Sequence, residues 1–135
     1  MKRLMTAGVV CAALLMLTLG AGSAAAQDPV KVAPKLYKVI FEDEHVRVLE
    51  VKGKPGEKAP MHSHPDYVVY AISGGKVKHT SPDGKTSENE MKAGSAMWVN
   101  AESHASEIVG PGELHVILVE MKHAAAKAKA PAKKM

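Results

Sequence analysis

The sequence predicts an all-β domain of short antiparallel strands, folded as a sandwich or a small barrel. Three observations lead there. Residues 37–121 break into runs of four to nine residues, most of them rich in Val, Ile, Tyr or Met, and separated by Gly, Pro, Asn, Asp and Ser. No part of that region keeps an apolar period of 3.6 residues over several turns. Two runs, VVYAI at 68–72 and HVILV at 115–119, are apolar at odd and even positions alike, which predicts strands covered on both faces.

Taken in order, YKVIF at 37–41 is the first strand, and Glu42-Asp43-Glu44 turns into HVRVLEVK at 45–52. Gly53-Lys54-Pro55-Gly56 is a strong turn signal. Residues 67–73 form the next strand, and Gly74-Gly75 reads as a two-residue hairpin, with residues 76–80 pairing back. Ser81-Pro82-Asp83-Gly84 has Pro early and Gly last, as a tight turn requires. Strands follow at 85–91, 96–99, 104–109 and 113–121, with breaks at Ala93-Gly94, at Asn100–Ser103 and at Gly110-Pro111-Gly112.

The ends differ from this middle. Lys2 and Arg3, a mostly apolar run from Leu4 to Leu19, and small residues up to Ala24-Ala25-Ala26 read as an export signal over residues 1–26, cut before Gln27. The apolar run falls short of the ~20 residues of a spanning helix. The expected location is therefore periplasmic or secreted. The sole cysteine, Cys11, lies inside that leader, so the mature chain would have no disulfide and no thiolate. Residues 27–36, with two prolines, read as a linker. Residues 122–135, rich in Lys and Ala, read as a disordered tail that makes at most weak contact with an anionic envelope surface. The net charge of +4 comes from these ends: residues 27–121 carry 11 Lys or Arg against 14 Asp or Glu. No basic stripe marks the domain, which argues against nucleic acid.

The chemistry concentrates at Gly56–Tyr70. His62 and His64 stand two residues apart, and on a strand such a pair projects from one face. Paired imidazoles make half of a site suited to Zn, Cu, Fe or Ni.

Two blocks carry a resemblance to the cupin family of small β-barrels. Its first motif reads Gly, five residues, His-x-His, three or four residues, Glu, six residues, Gly. Here Gly56, His62-Ser63-His64, then Val68 in the glutamate position, then Gly75 fit that pattern. Its second motif reads Gly, five residues, Pro-x-Gly, two residues, His, three residues, Asn. This sequence has Gly94, then Asn100 for Pro, Glu102 for Gly, His104 one residue early and Ile108 for Asn. The stretches Glu44–Val48 and Asp66–Val69 also look like small bacterial cupins associated with β-alanine degradation. The resemblance covers about residues 37–121 and implies a single-domain jelly-roll barrel. It further implies that His62, His64 and His104 converge inside the barrel on a divalent metal ion (Fe, Mn, Zn, Cu or Ni) without a glutamate ligand. Strand-mediated pairing into a homodimer is also a family habit.

On this reading Asp66, Val68, Tyr70 and Met97 are the pocket candidates, and Asp66 is a substitute for the missing carboxylate because it shares the even parity of the histidine pair. Met97 and Trp98 read first as core. Glu102 and Glu107 flank His104 as proton acceptors. His45, His79, His115 and His123 read as surface or packing residues. The expected partner is a small organic molecule, bound for oxygenase- or isomerase-type chemistry or simply held by a non-catalytic module.

Overall fold

The computed structural model describes residues 27–123 of the 135. Its elements are a short helix α1 (Pro29–Val32) and nine strands: β1 (Tyr37–Glu42), β2 (Val46–Gly53), β3 (Lys58–His64), β4 (Tyr67–Ala71), β5 (Gly75–Thr80), β6 (Thr86–Met91), β7 (Ala96–Val99), β8 (Glu102–Ile108) and β9 (Leu114–Met121). They form two antiparallel sheets, β1-β2-β9-β4-β7 and β3-β8-β5-β6. The all-β expectation holds, as do most strand positions. The export signal at 1–26 and most of the tail lie outside the described residues.

The core lies between the sheets and follows strict alternation. Leu49 and Val51 on β2, Tyr67, Val69 and Ala71 on β4, and Leu114, Val116 and Leu118 on β9 are all buried. Side chains of period two reach one face only, so these odd or even sets define the inside of each strand. Close packing explains Gly53: a Cβ there would fall 2.6 Å from Ile108 Cδ1 and from Leu36 Cδ2. The β5–β6 hairpin is the tight turn read from Ser81–Gly84. The Ser81 amide donates to the Lys85 carbonyl at 2.8 Å, and Gly84 takes φ +84°.

Four expectations are corrected. Gly74-Gly75 is no hairpin. Both edges of β4 are occupied, by β7 and β9, so the chain crosses between the sheets there and β5 pairs with β6 and β8. The β4 and β9 runs are not covered on both faces. Their outward side chains sit in a row in register across all five strands, Phe41, Val48, Val119, Val68 and Trp98, and Trp98 is 53% exposed rather than core. The strand expected at 104–109 begins earlier, at Glu102. Residues 27–36, read as a linker, hold α1 instead. Asp28 caps α1 by accepting from the Val30 amide at 3.0 Å, and Pro29 is fully buried. This segment lies along β3, which is an edge strand, and the Gln27 carbonyl accepts the Ser63 amide at 2.9 Å. The histidine strand thereby gains a partner on its open side.

Candidate metal centre

β3 and β8 run antiparallel with His62 opposite His104 and His64 opposite Glu102. The register shifts by one residue between Ala59 and His62, a bulge that contains Pro60, where a ladder donor is dispensable. That bulge turns His62 and His64 onto the same inward face as His104. All three are buried, and their ring centroids lie 4.8 Å (His62–His104), 4.9 Å (His62–His64) and 5.4 Å (His64–His104) apart. Each can offer one nitrogen to a common point, with the three ligand atoms within 4.8 Å of one another.

Hydrogen bonds fix two of the rings. His62 Nδ1 lies 2.7 Å from the Pro60 carbonyl, which only accepts, so Nδ1 carries the proton and Nε2 bears the lone pair. The Tyr37 hydroxyl donates to that Nε2 at 3.2 Å. Burial pushes the Tyr37 phenol up to about 12, so it stays a donor. His64 Nδ1 donates to Glu120 Oε1 at 2.6 Å, which sets the lone pair of this ring on Nε2 as well. Glu120 is itself held by Arg47 Nε at 2.7 Å, and Arg47 reaches on to Asp28 Oδ2 at 2.8 Å. Burial alone would raise the Glu120 carboxyl, but the bonds from His64 and Arg47 win and hold it below its ordinary range. A carboxylate behind a ligand imidazole orients the ring and raises its basicity. Desolvation pushes His62 down to about 4, with the neighbouring imidazoles adding to it, so the ring is neutral at pH 7 as ligation requires. Three buried imidazoles, two of them with the lone pair set on Nε2, fit a divalent metal of the nitrogen-preferring kind.

His64 and His104, but not His62, form part of the wall of a cavity of ≈ 430 Å³ between the sheets. Its apolar side includes Leu36, Val69 and Leu118, and its polar side carries Ser87 and Asn89 from β6. Of the four pocket candidates, only Met97 lines it. Tyr70 projects outward and is 45% exposed. Asp66 accepts the Ala101 amide at 2.7 Å and pairs with His123 at 2.9 Å, because the chain turns at Pro65-Asp66 and parity does not carry across. Val68 also faces outward. Val69, separated from His64 by four residues, the other spacing the motif allows, takes the inward place and brings no carboxylate.

Of the two glutamates beside His104, Glu102 reaches the cavity and Glu107 pairs outward with Lys58 and Lys78. The Tyr67 hydroxyl donates to Glu102 Oε1 at 2.9 Å. The adjacent His104 imidazole, chiefly, pulls Glu102 down to about 2, a weak base. His79 was expected to be a surface or packing residue, with no place at the site. It lines the cavity instead, stacked on His104 at 4.2 Å, because β5 turns its odd positions, Val77 and His79, inward. His115 is half-buried against Glu50 at 2.9 Å, while His45 and His123 are exposed, as expected. Glu120 and Tyr37 escaped the sequence reading altogether. Glu120 had a signal: it shares the even parity of Leu114, Val116 and Leu118.

No protein-family model matches the chain, and no curated protein matches its sequence. Solved structures do match. A cupin domain from Bordetella pertussis Tohama I aligns with a TM-score of 0.59 and 23% identity, covering 65% of this chain and 93% of that one. A protein with a double-stranded β-helix domain from Klebsiella pneumoniae subsp. pneumoniae MGH 78578 aligns at 0.53 and 21%, covering 67% and 79%. An RmlC-like cupin family protein from Methanocaldococcus jannaschii aligns at 0.53 and 19%, covering 65% and 80%. At these identities the likeness speaks for the fold. Residues 27–123 take the double-stranded β-helix fold that these solved structures have.

Proposed function

We propose that the protein is an exported, metal-binding cupin that takes a small organic molecule into its barrel. The observation that carries this reading is the convergence of His62, His64 and His104, the last two on the cavity wall, with the lone pair of the first two set on Nε2 by fixed tautomers. Held by the three imidazoles, a divalent ion would supply a Lewis acid with open positions for a donor atom of the ligand, suited to oxygenase- or isomerase-type chemistry. The chain's own residues do the rest. Glu120 and the Pro60 carbonyl orient the rings. Leu36, Val69 and Leu118 receive the apolar body of the molecule and keep water out. The Tyr37 hydroxyl, beside His62 Nε2, can turn to a bound oxygen atom.

A second reading, a non-catalytic module that only holds a ligand, is favoured by one observation. The acid–base groups outside the three-histidine set are poorly matched to neutral pH: Glu102 is held at about 2, His79 is lowered to about 4 chiefly by burial, and Tyr67 is raised.

Elemental analysis of the untagged protein tests the reading, with the His62→Ala, His104→Ala double variant as control. About one equivalent of metal, lost in the control, supports it, and a redox-active ion directs the search to oxygen uptake. Metal at the control's level, even after reconstitution, sinks it. Export is checked separately by cell fractionation and by sequencing the N-terminus of the mature chain, expected to start at Gln27.

A further inference from the structure

The outer face of the five-stranded sheet is apolar from one edge to the other, and no element among the described residues packs on it. Its middle row runs in register through Phe41, Val48, Val119, Val68 and Trp98. Two residues further along the strands, Ile117, Tyr70 and Ala96 stand side by side, and on the other flank Val46 lies opposite Met121. Charge enters these rows at one corner, where Lys38 lies opposite Glu50 and His115 Nε2 lies 2.9 Å from Glu50 Oε1.

An antiparallel sheet with one face in water alternates apolar and polar side chains. Here β4 has no charged residue, and β9 has only His115 and Glu120, the second of which is buried on the inner side. The inner face is covered by the second sheet, and the outer face has no cover within the chain. Its size is that of an interface. Trp98 and Phe41 are each 53% exposed, Ile72 46% and Tyr70 45%, with half-buried valines between them. An aromatic side chain removes about 150–250 Å² from water when fully buried, so the open apolar surface is on the order of 600 Å². That is the upper end of what a monomer shows. Two such faces laid together bury about 1,200 Å², which enters the range of specific interfaces.

The chemistry of the face selects its partner. With no charge at its centre, it offers a different protein little to be recognised by, whereas a second copy matches it by a two-fold rotation. Charges at the border carry both signs, Lys52 with Glu113 at 4.0 Å and Lys122 with Glu42 at 2.6 Å, unlike the basic rim that an anionic membrane attracts. Strand edges are poorer meeting places. The edge of β3 is covered at Ser63 by Gln27, and β6 carries Glu88 and Glu90.

We propose that two copies of the chain pack the outer faces of their β1-β2-β9-β4-β7 sheets together, with Val119 and Trp98 in the buried contact. The histidine cluster lies on the inner side of the molecule, so the pairing holds with or without a metal ion.

Trp98 is the single tryptophan of the chain, which makes its fluorescence a direct report on this face. The untagged protein is followed on dilution by sedimentation and by acrylamide quenching of Trp98. Expected are dimers at micromolar concentration with blue-shifted, protected emission, which turns red-shifted and quenchable as they dissociate. Val119→Lys places an unpaired charge in the middle of each face and should weaken association at least ~100-fold. Phe41→Ser, on an edge strand and already half exposed, should weaken it about tenfold, and it decides the matter if Val119→Lys fails to fold. A wild type that stays monomeric overturns the proposal, including one whose Trp98 emission shifts only on anionic lipid vesicles. So does a dimer in which Trp98 is as quenchable as in the monomer, or one that both variants form as readily as the wild type.

Discussion

The β3 half of the histidine cluster and the β8 half are built differently. On β3, both rings are tied at Nδ1, His62 by a main-chain carbonyl in its own bulge and His64 by a buried carboxylate from the far end of the chain. A guanidinium from β2 and an aspartate from the N-terminal segment stand behind that carboxylate. On β8, His104 has a stacked neighbour and a nearby carboxylate but no hydrogen bond at Nδ1. The first half is held in place by hydrogen bonds at both rings, and the second by stacking and a neighbouring carboxylate. Preorganised ligands lose little freedom on binding.

The largest expected effect comes from breaking the organised half at its centre. Glu120→Ala leaves Arg47 and His64 without their buried acceptor and should lower stability by about 3–5 kcal/mol in denaturant melts. Metal affinity should fall 10- to 100-fold. If both stay within error of the wild type, the chain Asp28–Arg47–Glu120–His64 does not organise the ring.

Next comes pH. His62 and His79 fold with values near 4, against about 6.5 in the unfolded chain. Between those values the unfolded state binds more protons, so stability rises with pH. It is fully present above about 6.5 and is lost as the pH falls towards 4, by up to about 3 kcal/mol for the buried His62. Thermal melts of the metal-free protein from pH 7.5 to 4 should show this decline, and a flat profile would mean that the rings are not desolvated.

A smaller effect sharpens the contrast. Tyr37→Phe removes the donor at His62 Nε2 and should cost about 1 kcal/mol without metal. Because the hydroxyl competes with an ion for the same lone pair, calorimetric metal affinity should hold or rise. A fall would make Tyr37 part of the binding shell.

Smallest is Asp28→Ala, at about 0.5–1 kcal/mol, since it loses a helix cap and a partly exposed ion pair. Metal affinity should barely move, because Glu120 still holds both His64 and Arg47. A drop as large as that of Glu120→Ala would make the N-terminal segment part of the site.

What the sequence made legible has a physical pattern. Strand positions and the pairing of His62 with His64 are local properties, set by alternation and turn residues, and they could be read directly. The hairpin at Gly74-Gly75 could not, because which strand flanks β4 depends on β7 and β9, far away in sequence. Val68 and Asp66 were misplaced for one reason: parity is reset by the turn at Pro65-Asp66, so the inward set on β4 is odd although that on β3 is even. Glu120 reads as the polar end of an apolar strand unless its parity with Leu118 is followed, and its partners come from β2 and β3. The likeness to cupins pointed to His104 across a degraded motif, but nothing local announced that His79 stacks against it.

X-ray absorption at the edge of the bound ion, in the reconstituted protein, tests the convergence of His62, His64 and His104 most directly. The predicted result is a first shell containing at least three nitrogen or oxygen neighbours near ~2.1 Å with the outer-shell scattering of imidazole rings, lost in His64→Ala. A shell of oxygen alone, matching the hydrated ion, would contradict it.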